Sequence, residues 1–278
     1  MTKKIGALFV LMLLLQGTQQ AFSQGNLLVA PIRVVFENGK QREDLNLSNI
    51  GQDTAVYLIS FLHYQMLGDG SFKQLDNPDS LPTPRADTYL RIFPRRVTLP
   101  PGESQIVRLQ FRKIAGMKDG EYRSHLYFRA DKNTTALGMK TANTDTTKLS
   151  VSITPIFGIS IPIIIRNGDL KLKIDLSDVS LKAVNDSVYN LGVSINRTGE
   201  RSAYGSLNVE FIPNKGEPIV VGLANGVGVY TELNSRRYNL PLRIRDGMKL
   251  QNGKLVIRYL TSKDEGEKEL ARTEYQVR

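Results

Sequence analysis

Residues 148–166 read KLSVSITPIFGISIPIIIR, and every second residue from 149 to 165 is apolar. Successive side chains of a β-strand point to opposite faces, so this alternation predicts one strand with a continuous apolar face. Strands usually have roughly 5 to 6 residues, whereas this one would span on the order of 55 Å at about 3.3 Å per residue. We therefore expect something other than its own domain to cover part of it.

The two edges of this strand are also unusual. Pro155 and Pro162 are an odd number of residues apart and remove N–H donors from opposite edges, and residues 149–165 carry no charge. We predict that the strand bends or changes partner between the two prolines, with its later part paired in its own domain and its earlier part at an edge. Either it is the last strand of its own sandwich, or its edge is lent to another chain as an added strand.

The rest of the chain has short β-rich runs broken by turn residues and almost no helical periodicity. The first half contains seven predicted strands, which are residues 27–36, 43–50, 54–65, 88–99, 104–113, 121–130 and the opening stretch. Seven strands separated by turns are typical of an immunoglobulin-like sandwich. A second all-β set begins after a predicted linker at 166–169. We therefore predict an all-β chain with two immunoglobulin-like sandwiches in tandem, at 24–166 and 169–278.

The beginning of the chain has the pattern of a secretory signal. Lys3 and Lys4 precede an apolar run at 5–15, and small residues precede a cleavage point after Ser23. The run is too short to span a bilayer, so we predict a cleaved signal peptide at 1–23 and a periplasmic protein. The chain has no cysteine, which excludes both a disulfide framework and a thiolate nucleophile.

The formal charge of the 278-residue chain is +10. Removing Lys3 and Lys4 with the signal leaves +8, because 35 basic residues then face 27 acidic ones. Such an excess can favour acidic partners or nucleic acid. However, the basic residues alternate with apolar ones in RIFPRR (91–96) and RLQFRK (108–113), as on the solvent faces of strands. There is no basic helix and no array of aromatic residues for stacking, so we predict no nucleic-acid partner.

Catalytic chemistry finds little support. The two histidines, His63 and His125, belong to different predicted strands and have no carboxylate pair near them in sequence. A zinc site or a catalytic triad needs more ligands or partners than this. We therefore predict a protein that is not an enzyme and needs no cofactor or metal.

The first half of the chain resembles the N-terminal domain of the periplasmic pilus-assembly chaperones, the PapD-like family. The matching pieces occur in the family's order over about residues 27–166, and they are LLVAPIRVVF, LNLSNIG with Asn49, RIFPRRVTLPPGESQIVRL and GEYRSHLYF, followed by a loop and the alternating strand. The second half resembles the family only in its all-β character and in its place after the linker.

The resemblance implies a function. In that family the last strand of the first domain completes a pilin subunit that lacks its own final strand, and two basic residues in the interdomain cleft hold the subunit's C-terminal carboxylate. Arg33 falls on the position of the anchoring arginine, whereas Pro162 stands where the family has its lysine. The apolar face to be donated, within residues 149–159, consists of Leu149, Val151, Ile153, Phe157 and Ile159.

The partners implied are pilin-like or other surface subunits and an outer-membrane usher. Arg123 also departs from the family, many members of which have an acidic residue there. The alternative is a structural or adhesive protein of the cell envelope that has the same fold and keeps its long strand paired internally or with a copy of itself.

Overall fold

A computed structural model of the chain describes residues 27–80, 82–131, 156–185, 187–244 and 249–277. These ranges consist almost entirely of β-strands joined by turns. The strands before the predicted linker are β1 (Leu27–Ala30), β2 (Val34–Phe36), β3 (Arg42–Asn49), β4 (Ala55–Leu62), β5 (Tyr64–Met66), β6 (Phe72–Gln74), β7 (Leu90–Phe93), β8 (Arg96–Leu99), β9 (Ser104–Phe111), β10 (Gly120–Ala130) and β11 (Gly158–Asn167). Those after it are β12 (Leu172–Asn185), β13 (Val188–Gly199), β14 (Ala203–Pro213), β15 (Ile219–Val229), β16 (Ser235–Arg243), β17 (Gly253–Thr261) and β18 (Glu269–Val277).

The first sandwich packs a four-stranded sheet, in the order β1-β3-β9-β7, against a five-stranded sheet, in the order β2-β11-β10-β4-β8. Inward-facing residues of both sheets form its core, including Leu45, Leu109, Leu126 and Phe128, which are almost completely buried. The four-stranded sheet therefore has one face on the core and one face toward solvent, which accounts for its alternation of apolar and polar residues.

Two strands that the sequence predicts as continuous are each split in the structure. Residues 27–36 form β1 and β2, and residues 88–99 contain β7 and β8, with a cis peptide bond before Pro31 in the first case and before Pro94 in the second. The two parts of each stretch lie in opposite sheets. The predictions of single strands are wrong because the alternation of residues continues across a point where the chain passes from one sheet to the other.

The second sandwich packs a three-stranded sheet, in the order β12-β13-β16, against a four-stranded sheet, in the order β15-β14-β17-β18. Its core lies entirely within residues 174–277, whereas the core of the first sandwich lies within 27–165. Two separate cores confirm the predicted class of two all-β sandwiches in tandem. The predicted linker is too wide at its start, because Arg166 and Asn167 belong to β11 and are buried.

The long strand of the opening stretch is described from residue 156 onward. β11 pairs antiparallel with β10 over its whole length, but it pairs with β2 only at Ile163, Ile164 and Ile165. Residues 158–162 therefore have one open edge in the part of the chain that is described. The later part is paired inside its own domain, as predicted, but the change of partner comes at Ile163, after the predicted interval between Pro155 and Pro162. The part of the strand before residue 156, predicted to lie at an edge, is outside the described residues.

The two faces of β11 pack against different parts of the molecule. Ile161, Ile163 and Ile165 are buried in the core of the first sandwich, and Ile159 is partly buried against it. Ile164, on the other face, is fully buried outside that core and pairs in register with Arg123. Each fully buried isoleucine contributes roughly 1.5 to 3 kcal/mol, so this half of the strand is firmly held.

A hairpin of β5 and β6 connects the two sandwiches. Its turn places the Gly68 carbonyl 2.9 Å from the backbone N–H of Arg237 at the start of β16. The Phe72 ring lies 5.5 Å from the ring of Tyr230, measured between centroids. The hairpin therefore adds backbone and aromatic contacts between the sandwiches to those made by β10 and β11.

Candidate functional site

A cleft of about 610 Å³ lies between the two sandwiches. One wall is the segment between β1 and β3, and the other consists of parts of β14 and β15 together with the turn after β17. The residues that matter most for its chemistry are Arg33, Glu37, Tyr204, Lys263 and Glu265. The predicted anchor residue thus lies in an interdomain cleft, at a position set by the crossing of the chain from β1 to β2.

Among the described residues, Arg33 is held in this cleft by an aromatic ring and forms no ion pair with a carboxylate. Its guanidinium carbon lies 4.4 Å from the centroid of the Tyr204 ring, which is within the range of cation–π attraction. Its Nη2 atom is buried and has no hydrogen-bond partner in the described part of the chain. Burial, followed by the positive charge of Arg166, lowers the pKa of Arg33 from its ordinary value. A buried guanidinium donor of this kind is well suited to an incoming carboxylate.

Arg166, the neighbouring arginine, is in the opposite situation. Its Nε donates to Glu121 at 3.2 Å and its Nη1 to Glu37 at 2.9 Å, while Glu265 lies 3.8 Å away. Burial acts to lower the pKa of Arg166, but the negative charges of Glu121 and Glu37 outweigh burial and raise it. Since its charge is already neutralised by three carboxylates, Arg166 is a structural cation of the domain junction.

The two lysines that line the cleft, Lys40 and Lys263, also differ in whether a carboxylate neutralises their charge. Lys40 forms an ion pair with Glu43. Lys263 lines the cleft from the second sandwich and has no ion pair with any residue that the structure describes. Arg33 and Lys263 are therefore the two cleft-lining cations, among the described residues, that are free to meet a negative group.

Pro162, at the place of the family's lysine, faces an aromatic cluster. It pairs in register with His125 of β10, whose ring lies edge-to-face with Tyr64 at 4.9 Å and with Phe72 at 6.0 Å. Burial, with a smaller effect of the positive charge of Arg123, lowers the pKa of His125 to about 3. His125 is therefore neutral at physiological pH and supplies no positive charge in place of the lysine.

Arg123 has a structural partner in the second sandwich. Its Nη2 donates to Glu232 at 2.5 Å, and its guanidinium carbon lies 3.7 Å from the centroid of the Tyr230 ring. Glu232 also accepts a hydrogen bond from the backbone N–H of Met66 at 2.8 Å. The departure from the family at Arg123 is thus matched by a buried acidic residue across the domain junction.

Sequence reasoning missed the residues of the second sandwich that build this junction. Tyr204 lies at a strand end, Tyr230 and Glu232 lie between strands, and Glu265 ends a short 3-10 helix, Lys263–Glu265. No motif or periodicity distinguishes these four residues. They come within reach of Arg33, Arg123 and Arg166 only when the two sandwiches are placed side by side. No local pattern in the sequence could have identified them.

Only two of the five predicted donor residues belong to the described part of the chain. Leu149, Val151 and Ile153 lie outside the described residues. Phe157 is 46% exposed, and Ile159 is partly buried against the first core. Arg33 immediately precedes β2, which pairs with β11 at 163–165, so the predicted anchor and the open part of β11 belong to the same region of the first sandwich.

The histidines do not form a catalytic arrangement in the described ranges. The Ser124 hydroxyl donates to Asp87 at 3.0 Å, and Nε2 of His63 lies 3.9 Å from the same carboxylate, but no hydrogen bond joins the serine to the histidine. All three residues are largely buried.

Two further features are absent from the described ranges. No group of three or more potential metal ligands occurs there. No helix there has the length and hydrophobicity needed to cross a membrane.

Comparisons with known proteins give matches among solved structures. No protein-family model and no curated protein matches the chain. Similar solved structures include proteins named as chaperones. The YadV chaperone shares 11% identity over 91% of this chain and 100% of its own, with a TM-score of 0.44. The class 5 fimbriae chaperone CfaA shares 18% identity over 91% and 100%, with a TM-score of 0.43.

A third similar structure is a complex. It is the Salmonella enterica SafA pilin with the SafB chaperone, which shares 13% identity over 92% of this chain and 99% of that chain, with a TM-score of 0.39. All three structures share less than 20% of their residues with this chain and have TM-scores below 0.5.

Proposed function

We propose that this protein is a periplasmic chaperone that captures incompletely folded pilus or other surface subunits. After removal of residues 1–23, the domain at 24–166 lends the strand at 149–159 to a subunit, and the domain at 169–278 forms the other wall of the cleft. The subunit is then delivered to an outer-membrane assembly site such as an usher. The activity needs no cofactor.

The observation that carries this proposal is the open edge of β11. Residues 158–162 pair only with β10 in the described part of the chain, and exposed Ile156 and Phe157 come directly before them. An open strand edge can form backbone hydrogen bonds with another chain, while its alternate side chains fill pockets in that chain. The uncharged residues 149–157 extend the same edge in the sequence.

Arg33 is the proposed anchor for the C-terminus of the subunit. Its Nη2 atom is buried without a partner in the described residues, and Arg33 lines a cleft bordered by the strand that pairs with β11. We propose that it binds the C-terminal carboxylate of the subunit through charge-assisted hydrogen bonds. Lys263 then offers a second positive charge from the opposite wall.

The energetics of strand donation are sufficient for this role. Burying the five donor residues at roughly 1.5 to 3 kcal/mol each contributes at most on the order of 7 to 15 kcal/mol before entropy costs, because Phe157 and Ile159 are already partly buried. This can hold an incomplete subunit in a folded state. Release needs no external energy source if a strand that fits the subunit better replaces the strand of the chaperone.

The test uses aspartate substitutions on the donor face. Ile153→Asp and Phe157→Asp are expected to abolish co-purification of subunits from the periplasm, because a charge cannot enter an apolar pocket without a large cost. Val184→Asp, at an exposed position of β12, is the matched control and should retain capture. Circular dichroism must show that all three variants are folded. Undiminished capture by both donor-face variants would exclude strand donation.

The alternative, a structural or adhesive envelope protein, is favoured by one observation. Ile161, Ile163 and Ile165 already belong to the core of their own sandwich, so this half of the strand cannot be donated. Amide hydrogen exchange separates the two functions. Slow exchange over residues 149–157 in a purified monomer would favour internal pairing, and fast exchange that slows on subunit binding would favour donation.

A further inference from the structure

The two basic stretches at 91–96 and 108–113 take no part in the cleft or in the donor strand. The structure places residues 91–93 of the first stretch beside residues 108–110 of the second, because β7 pairs antiparallel with β9 so that Arg91 lies opposite Gln110 and Phe93 opposite Arg108. Both strands belong to the four-stranded sheet, whose other face packs on the core. The alternation of basic and apolar residues thus forms one continuous outward surface.

This surface, here called the outer arginine face, consists of the outward positions of β1, β3, β9 and β7. Its distinctive members are Leu28, Arg42, Arg91, Phe93, Ile106 and Arg108. None of them lines the cleft. The outer arginine face and the predicted anchor site are therefore separate surfaces of the same domain.

The charge of the outer arginine face is strongly biased. Its three arginines face a single carboxylate, Asp44, so the four strands carry an outward charge of 3 − 1 = +2. Asp44 accepts hydrogen bonds from Arg42 at 2.6 Å and from Arg108 at 2.9 Å. Arg91 has no ion pair with any described residue. At least one guanidinium is thus free to bind a carboxylate from outside.

Apolar side chains lie among these charges. Phe93 is 77% exposed, Ile106 is 55% exposed and Leu28 is 52% exposed. Phe93 is more exposed than any other large apolar side chain of the described ranges. Exposed aromatic side chains next to arginine, in a region poor in carboxylates, have the composition of the centre of a protein–protein interface.

We propose that the outer arginine face is a docking surface for a second protein, whose complementary surface is acidic and carries at least one apolar side chain. A second copy of this chain docked by the same face does not fit, since it would bring a charge of +2 against +2. An anionic membrane fits less well, because surfaces that bind anionic lipids cluster about four to eight basic residues, whereas this face has three arginines, two of which are bound to Asp44. The planar fork of arginine matches single carboxylates, which a protein partner provides. This proposal stands independently of strand donation.

The test uses defined peptides as probes. Three fluorescein-labelled 12-residue peptides combine Glu with Phe, Glu with Ser, and Ser with Phe, and fluorescence anisotropy measures their binding to the mature protein. The Glu/Phe peptide is expected to bind most tightly and to weaken as salt is raised. Arg91→Ser and Phe93→Ser should each weaken its binding at least tenfold.

Two control variants test whether peptide binding depends on the outer arginine face or on exposed cations and apolar side chains anywhere on the protein. Lys173→Ser on β12 and Leu223→Ser on β15 remove an exposed cation and an exposed apolar side chain elsewhere, and both should bind like the unaltered protein. Ile106→Ser provides a second apolar variant if Phe93→Ser does not fold. Circular dichroism checks every variant.

Two results would overturn the proposal. One is binding of the Glu/Phe peptide that is unaffected by Arg91→Ser and by the apolar variants, since the contact would then lie elsewhere. The other is binding to vesicles with 30% phosphatidylglycerol that depends on Arg91 while peptide binding does not, since the face would then recognise a lipid surface. Failure of either kind leaves the test of strand donation untouched.

Discussion

The two halves of β11 have the same alternation of isoleucine but very different surroundings. Residues 163–165 are paired on both edges, and both of their faces are buried, one in the core of the first sandwich and one outside it. Residues 158–162 have an open edge in the described part of the chain, and Phe157 just before them is half exposed. One strand can therefore be anchored at one end and available at the other, because anchoring depends on neighbours and not on the strand's own pattern.

The largest effect is expected from a charge placed in the anchored half. Ile163→Asp puts a carboxylate into a fully buried apolar site and should lower the free energy of unfolding by about 4 kcal/mol or more. Phe157→Asp, at the exposed end, should change it by less than about 0.5 kcal/mol. Urea denaturation measures both. Similar losses for the two variants would mean that the halves do not differ as described.

The second effect concerns the charges at the end of the anchored half. Glu121 accepts hydrogen bonds from Arg166 and from the backbone N–H of Ser202 in the second sandwich. Glu121→Ala leaves both donors without this partner and should cost about 3 kcal/mol. Glu37→Ala, which removes the more exposed carboxylate beside Arg166, is the control and should cost less than about 1 kcal/mol. Equal costs of the two substitutions would mean that the more exposed Glu37 stabilises the protein as much as the buried Glu121 does.

The third effect is a dependence of stability on pH. Burial lowers the pKa of His125 to about 3, so below its ordinary value of 6.5 the unfolded chain takes up a proton that the folded chain does not. Stability contributed by this histidine is present above pH 6.5 and falls as the pH is lowered, by about 2 kcal/mol from pH 7 to pH 5. His125→Phe should remove this part of the pH dependence. Urea denaturation at several pH values measures the free energy of unfolding. The same change of this free energy between pH 7 and pH 5 in the unaltered protein and in His125→Phe would contradict the prediction.

The smallest effect is expected at the beginning of the open half. A Cβ atom at Gly158 would lie 2.3 to 2.5 Å from the outer atoms of the Tyr127 ring, which can turn away because it is the end of a side chain. Gly158→Ala should therefore cost less than about 1 kcal/mol. Thermal unfolding followed by circular dichroism measures the change. A loss of several kcal/mol would show that the open half is held as firmly as the anchored one.

The sequence by itself determined the local features of this protein. Alternation with period two identified most of the strands and the class of fold, and the two prolines indicated that the long strand changes partner, although the change at Ile163 lies just beyond the predicted interval of 155–162. The order of short motifs also identified Arg33 as the candidate anchor. These features could be predicted because they depend on side-chain direction and backbone donors, which are properties of neighbouring residues.

Only the tertiary structure decided how these elements meet. The stretches at 27–36 and 88–99 cross between sheets at points that their alternation does not mark. Arg123 lies against Glu232, and Arg33 lies against Tyr204, across more than a hundred residues of sequence. Ion pairs and aromatic contacts of this kind have no periodicity along the chain, and they form only when two completed sandwiches bring their surfaces together.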